Sequence, residues 1–467
     1  MRKFREKYIG NKDFYKMVLL VAIPIMIQNA ITNFVSLLDN IMVGLVGTEQ
    51  MSGVSIVNQL IFVYNVSIFG AISGAGILGA QFYGNNDHQG LRDTFRFKCM
   101  ICLLICLLGT GILIGFGKPL IGLYLQGDAG AGDAAMAMAY GKDYLWIMLL
   151  GLLPFTVVQI YASTLRETSE TIKPMIAGMI AVVVNMSFNY LLIFGKAGFP
   201  ALGVRGAAIA TVMARFTECI FIVAWTHRHS DRNYFIQGAY RSFRIPKHLA
   251  GQILRKGTPL LVNELLWASG MAFLVQCYSI RGLSVVAGMN ISSTLSNVFN
   301  VVFMALGSAV SIMVGQLLGG GKMEEAKVTA YRLITFSVLS CIVVGLIMVG
   351  LAPLFPKIYN TSDEVRSLAT AFIMIAGLYI PVHAFMNATY FTLRSGGKTV
   401  ITFLFDSVFV WVVSIPLAYM LSRFTSLDIR LLYLTVCMAD LMKCVIGFIL
   451  VKKGVWLNKI VTDGQEQ

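Results

Sequence analysis

Twelve long apolar stretches separated by short polar connections set the pattern of the chain. They run over about 17–43, 51–80, 96–117, 134–162, 174–194, 204–225, 258–280, 288–317, 330–354, 366–392, 399–421 and 430–451. Crossing the hydrocarbon of a bilayer takes about 20 apolar residues as a helix, whereas a barrel strand is a roughly 10-residue alternating segment. The runs here are long and continuous. They predict an all-α polytopic membrane protein with twelve transmembrane helices.

The polar connections orient those helices. The N-terminal segment, 82–98, 163–173, 226–257, 318–332, 393–398 and the C-terminal tail together carry 26 Lys and Arg, and the loops on the other side carry nine. The positive-inside rule puts the richer set in the cytoplasm, with both termini. The first residues, MRKFREKYIGNKDFYK, are too charged for a signal peptide, and no small-residue cleavage site follows the first apolar run. The expected location is the plasma (inner) membrane, multi-pass.

The longest polar segment, 226–257, falls near the middle and reads as a linker between two halves that resemble each other. Pro24 matches Pro259, Gln81 matches Gln316 and Gly84 matches Gly319, all at an offset of 235. Later in each half, Pro154, Leu165 and Arg166 match Pro381, Leu393 and Arg394 at offsets of 227 to 228, one net gap. Six spans per half is an even number, so both halves enter the membrane in the same direction. The expected architecture is two parallel six-helix repeats around a central cavity: a cytoplasmic N-terminus 1–16, an N-lobe 17–225, the linker 226–257, a C-lobe 258–451 and a cytoplasmic tail 452–467.

Composition narrows the class further. Hydrophobic residues make up 57% of the chain and charged residues 13%, with a mean hydropathy of +0.74, well outside the range of soluble globular domains. The net charge of +14 would suit a nucleic-acid partner if it were gathered on one soluble face, but it is spread over loops, so no nucleic acid is expected. The eight cysteines all lie in or at the edge of apolar runs and form no disulfide framework. Cys99, Cys102 and Cys106 share a helical face, but no histidine or acid in that run completes a metal ligand set.

Ionisable residues inside the spans are costly and mark candidate chemistry. Asp39 lies 23 residues past Lys16, roughly 34 Å along a helix, in the outer half of the first span. Asn185 and Asn189, one turn apart on the fifth span, reach the same depth, so the three can share a pocket; a helix-end cap is the structural alternative for Asp39. Asp406 in FLFDSVFVW and Glu264, five residues after Pro259, are the acids of the second half, each open between a cation site and a structural contact. Arg215 with Glu218 and Asp440 with Lys443 are i, i+3 pairs of opposite charge and read as structural. Pro24 lacks the N–H for its i−4 carbonyl and gives the first helix a place to bend. The histidines assemble no HExxH or Ser/His/Asp constellation, and the glycine-rich GAISGAGILGAQFYG follows no strand, so neither an enzyme nor an ATP site is expected. Transport would then draw on an ion gradient.

In order along the chain, LLDNIMVGLVGTEQMSGVSIVNQLIF, GAQFYGNND, TLRETSETIKPM, VVNMSFNYLLIFG and GVRGAAIATVMARFTE, then GQLLGGGKMEEA and TLRSGGKT in the second half, resemble the multidrug and toxic compound extrusion (MATE) transporters of the MOP flippase superfamily. The resemblance covers about residues 10–455. It implies a V-shaped cavity between two six-helix lobes, and export of cationic, amphipathic compounds against inward H⁺ or Na⁺. It implies further that Asp39 is the first-helix acid, Pro24 the bending proline, Asn185 and Asn189 the fifth-helix polar pair, and Thr211 of GAAIAT a residue lining the same pocket. Two departures stand out. Asn189 occupies a position where many members have Asp, and Glu264 sits about a turn closer to the proline than the glutamate of those members that use one.

One carboxylate in the N-lobe pocket fits proton coupling better than tight sodium binding, which favours several oxygen ligands. No firm metal site is assigned; sodium at Asp39, or at Glu264 with Asp406, is the open alternative. The expected partners are small cationic substrates and the lipid bilayer, with no cofactor and a monomeric state. The alternatives are a lipid or lipid-linked saccharide flippase of the same superfamily and a non-transporting membrane receptor or scaffold. A flippase would favour a basic cavity for phosphate, whereas the central spans offer Asp39, Glu264 and Asp406.

Overall fold

The computed structural model describes residues 7–44, 47–124, 131–359 and 361–461. Among them stand twelve helices long and apolar enough to cross a membrane, and no strand. They are α1 (Lys12–Gly44), α2 (Thr48–Gly84), α3 (His88–Tyr124), α4 (Ala131–Glu167), α5 (Ile172–Phe194), α6 (Val204–Arg228), α7 (Lys247–Ser279), α8 (Leu283–Gly319), α9 (Met323–Leu351), α10 (Asp363–Ser395), α11 (Thr399–Phe424) and α12 (Ile429–Lys453). Each predicted span falls on one of these. Several helices run further than the span because polar residues such as Lys12, His88 and Lys247 end an apolar run without ending the helix.

The chain forms two compact units. One, the N-unit, comprises 27–79 and 88–253; the other, the C-unit, comprises 1–26, 80–87 and 254–467. The division by packing therefore differs from the division by repeat: the first part of α1 and the end of α2 go with the second half of the chain. The cause is apolar contact. Val18, Val21, Ala22 and Ile25 are buried in one cluster with Ala305, Val310 and Leu318 of α8, Ala326, Ala330 and Leu333 of α9, and Trp456. The packing of α1 changes hands between Met26 and Ile27, just past Pro24, through which the helix continues.

Within the N-unit, α6 lies against both α4 and α5, and α3 against α4. Small residues permit the close approaches: a Cβ on Gly53 of α2 would strike the backbone of α4 at Ala137 and Gly141. In the C-unit, α10 packs along α8 and α9, and a Cβ on Gly288 of α8 would press on Leu368 and Ala369 of α10. Gly288 is Gly53 shifted by 235 and Ala369 is Gly141 shifted by 228, so the internal repeat is a repeat of helix crossings as well as of sequence.

A second crossing joins the repeat-equivalent ends of α2 and α8. Gly84 lies over the carbonyl of Gln316 and Gly319 over the carbonyl of Gln81, each too close for any side chain. Gln81 is fully buried there. Its amide donates to the carbonyls of Ser395 (2.9 Å) and Asn458 (3.3 Å) and accepts from the N–H of Ile460 (2.8 Å). The segment that follows α12 is thereby clamped, with Trp456 fully buried against Gly396.

Two features place the polar side chains discussed below. On α5, Ala177, Ala181, Asn185 and Asn189 recur every four residues and form one buried face. On α11, two π-turns, Leu404–Val408 and Val410–Ser414, widen the helix around Asp406, a departure from α-geometry that is often found at functional positions.

Candidate functional site

The N-unit brings together the four polar residues anticipated there. Asn189 donates through Nδ2 to Asp39 Oδ1 at 2.5 Å and to Asn185 Oδ1 at 3.0 Å. Asn185 in turn donates through Nδ2 to Thr211 Oγ1 at 3.2 Å. The local reason is plain: the buried α5 face presents both amides, and Gly206, Ala207, Ala208 and Ala210 keep α6 slim enough to bring Thr211 alongside. Asn185 and Asn189 are 4% and 1% exposed, so these bonds are made away from solvent. Because α1 continues to Gly44, Asp39 bonds a neighbouring helix and does not cap its own.

The polarity of the chain of bonds is informative. Both hydrogens of the Asn189 amide are committed, one of them to Asp39, which suits an ionised carboxylate, an acceptor only. The Asn189 Oδ1 is buried and has no hydrogen-bond partner. A protonated Asp39 is a donor, and this oxygen is the acceptor a turn of the amide would bring to it. That turn would give up the bond to Asn185 Oδ1, so the network as it stands suits the ionised form.

Charged neighbours are few. Arg215 acts electrostatically on Asp39, but its guanidinium stands 3.7 Å from Glu218 and 4.7 Å over the Phe155 ring. Tyr144 donates its hydroxyl to Asn58 Oδ1 at 3.3 Å and is buried. The i, i+3 pairing of Arg215 with Glu218 holds, at a distance longer than a hydrogen bond.

In the C-unit the partner of Asp406 is Asn263, whose Nδ2 donates to Oδ2 at 3.0 Å. Asn263 Oδ1 accepts from the Ser407 hydroxyl (2.7 Å) and backbone N–H (3.3 Å), the latter supplied by the first π-turn. Glu264, the next residue of α7, is turned by the 100° helical step and is not bonded to Asp406; Arg394 and Asp406 act on it electrostatically. Lys443 is buried, pairs with Asp440 at 3.4 Å and lies over the Phe409 ring at 4.9 Å, and its charge also acts on Asp406.

Two buried ion pairs among the described residues went unnoticed in the sequence, Asp93 with Arg96 at 2.8 Å on α3 and a second one between helices. Lys98 of α3 reaches Glu167 of α4 at 2.6 Å and donates to Ser163 and Thr164, each at 3.0 Å, with its side chain fully buried. Glu167 fills the space beside Gly76 and Gly79 of α2. Both charges lie at span edges and read as loop residues, and the available signal was the pair of small residues on α2 that leave room for the carboxylate.

The fold and this site define a polytopic membrane transporter with a half-buried acid held by the amide of a buried asparagine. A family model described as MatE matches residues 24–191 and 259–420, and the chain belongs to that family. A Thermotoga maritima protein named "Probable multidrug resistance protein NorM" is 24% identical over 422 residues, 89% of this chain and 88% of that one. A Pasteurella multocida protein of the same name is 27% identical over 414 residues, 87% of this chain and 86% of that one. The fold is similar to a solved structure described as the outward-facing conformation of a multidrug resistance MATE family transporter of the MOP superfamily. The TM-score is 0.84 and the identity 18%, with 95% of this chain and 96% of that one covered.

Proposed function

We propose that the chain is a cation-coupled antiporter that exports cationic, amphipathic drugs or toxic organic compounds by alternating access. Asp39 binds the coupling ion and the cargo in turn. The observation that carries this reading is the bonding of Asp39: a buried amide relay orients the carboxylate and no Lys or Arg among the described residues pairs with it. Its charge is left for a mobile cation. Protonation removes that charge, and the difference in interaction between the two states is what shifts the balance between inward-open and outward-open forms. The multidrug names of the relatives support the cargo class. A flippase of the same superfamily is less favoured because the acids meet no phosphate-binding basic group at the relay.

We take H⁺ as the coupling ion, since one carboxylate with amide and hydroxyl partners needs only a proton to become neutral; Na⁺ is the alternative. Pro24, beside the point where the packing of α1 changes hands, is the proposed hinge. Glu264 and Asp406 are secondary candidates for cation or substrate binding. The protein works as a monomer, without a cofactor, in the plasma (inner) membrane, with both termini cytoplasmic. Export of an ethidium-like dye from proteoliposomes, measured while the proton and sodium gradients are collapsed separately, tests the proposal. Export that persists with both gradients gone rejects it.

A further inference from the structure

We propose that the C-unit holds a lipid site, a cavity at the membrane boundary that takes one phospholipid whose headgroup joins a phosphate to a primary ammonium. The cavity measures about 790 Å³ and is lined wholly by residues of the C-unit, at the starts of α1 and α9 and the ends of α2 and α8. Its depth follows from the apolar runs. Met17 opens the first run and Arg332 lies just inside the ninth, which begins near residue 330, so the cavity straddles the level where hydrocarbon gives way to headgroups. On the proposed topology this is the cytoplasmic leaflet.

The walls differ in character. Phe14, Met17, Met313, Leu317 and Val328 are apolar, whereas Lys322, Glu324, Glu325, Thr329 and Arg332 are polar. An amphiphile matches that division; a simple ion would use only half of it. The order of charge along α9 then selects the headgroup. Lys322 and Glu325, both exposed, face each other at 3.5 Å and offset one another. Arg332 stands eight residues past Glu324, about 12 Å deeper along the helix, with its guanidinium 5.6 Å over the Phe14 ring. Helical side chains lean toward the N-terminus, and arginine, the longer of the two, reaches further that way, which narrows the gap. A cation therefore lies on the membrane side and the exposed Glu324 on the water side. In a phospholipid the phosphate is joined to the glycerol and the amine lies beyond it, so the phosphate meets Arg332, the ammonium meets Glu324, and Thr329 offers a hydroxyl between them. The guanidinium fork matches phosphate, and a carboxylate, an acceptor only, matches an ammonium that carries hydrogens. Choline has no such hydrogens and a glycerol headgroup has no positive charge, so each satisfies half of the site.

The test is a binding measurement, independent of the antiport reading. The full chain in nanodiscs is irradiated with phospholipids that carry a diazirine near the glycerol and an ethanolamine, choline or glycerol headgroup, and the labelled peptides are mapped by mass spectrometry. The ethanolamine probe should label residues 313–332 at least about fivefold more than either other probe, the difference expected of one charge-assisted hydrogen bond. Glu324→Gln combined with Glu325→Gln changes two exposed residues and should bring the ethanolamine label down to the choline level. Val328→Trp fills the cavity and should lower labelling by all three probes, while Glu364→Gln, at an exposed acid of α10 outside the cavity, should change nothing. Equal labelling by the three probes overturns the headgroup assignment, as does strongest labelling by the glycerol probe, which would make this a plain phosphate site. Displacement of the label by water-soluble phosphoethanolamine as readily as by the lipid would assign the cavity to a soluble ligand and overturn the lipid reading. The comparison of probes on the unaltered chain decides the matter even if Val328→Trp does not fold.

Discussion

Asp39 in the N-unit and Asp406 in the C-unit each accept a hydrogen bond from a buried asparagine, at 2.5 and 3.0 Å. Around Asp39 the next groups are amide and hydroxyl, and the cation that acts on it, Arg215, is a third exposed and 3.7 Å from Glu218; around Asp406 they include the buried Lys443, itself 3.4 Å from Asp440. Equal hydrogen bonding thus accompanies unequal charge balance. Asp406 has a buried cation near it and, through its bond with Asn263, links α11 to α7. On the function proposed above, Asp39 takes its main counter-charge from a mobile cation, and a group with that need is the one a gradient can act on.

The largest effect expected is at Asp39 itself. Asp39→Asn should lower dye export by at least about 100-fold, roughly 3 kcal/mol of lost coupling, with normal expression and thermal stability. Asp406→Asn should stay within about threefold of the unaltered protein. The reverse ranking would exchange the roles of the two acids. Next, Lys443→Met removes the buried cation beside Asp440 and Asp406 and should cost about 3 kcal/mol of stability, read as a fall in melting temperature in detergent. Adding Asp440→Leu should recover part of that loss. An unchanged melting temperature in the single variant would show that Lys443 is not the compensating charge.

Smaller changes sharpen the contrast. Asn263→Ala removes the bonds to Asp406 and to both donors of Ser407, and should destabilise by about 2 kcal/mol with little change in ion dependence. Thr211→Val removes the anchor of the Asn185 amide. It should weaken apparent cation affinity about fivefold, near 1 kcal/mol, without moving the melting temperature. If instead Thr211→Val destabilises and Asn263→Ala alters coupling, the assignment of structural and exchange sites is inverted.

Much of this was legible in the chain. Long apolar runs allow little besides membrane helices, and the i, i+4 spacing of Asn185 and Asn189 fixes a shared face whatever surrounds it. Once Gly53 is seen against Gly141, the pairing of Gly288 with Ala369 follows from the repeat. What stayed hidden depends on which helix faces which. Asn263 and Glu264 are adjacent in sequence and a third of a turn apart on α7, and the charged residue drew attention while the neutral one makes the bond. Lys98 and Glu167 meet across 69 residues, a distance no local pattern spans. The π-turns of α11 have no signature in FLFDSVFVW. The packing of residues 12–26 with the later helices is likewise invisible to a division by repeat, because both halves of α1 are equally apolar.

That last arrangement bears on how the protein is made. Val18, Ala22 and Ile25 are synthesised early, yet the side chains that cover them, from Ala305 to Trp456, are synthesised late. The first helix must therefore wait in the bilayer with an unfinished face while most of the chain is translated. Gln81 waits longer, since its partners at Asn458 and Ile460 emerge among the last residues described. A product that stops short of Trp456 leaves two of that glutamine's three bonds unmade, with only the one to Ser395 remaining, a defect that membrane quality control can act on.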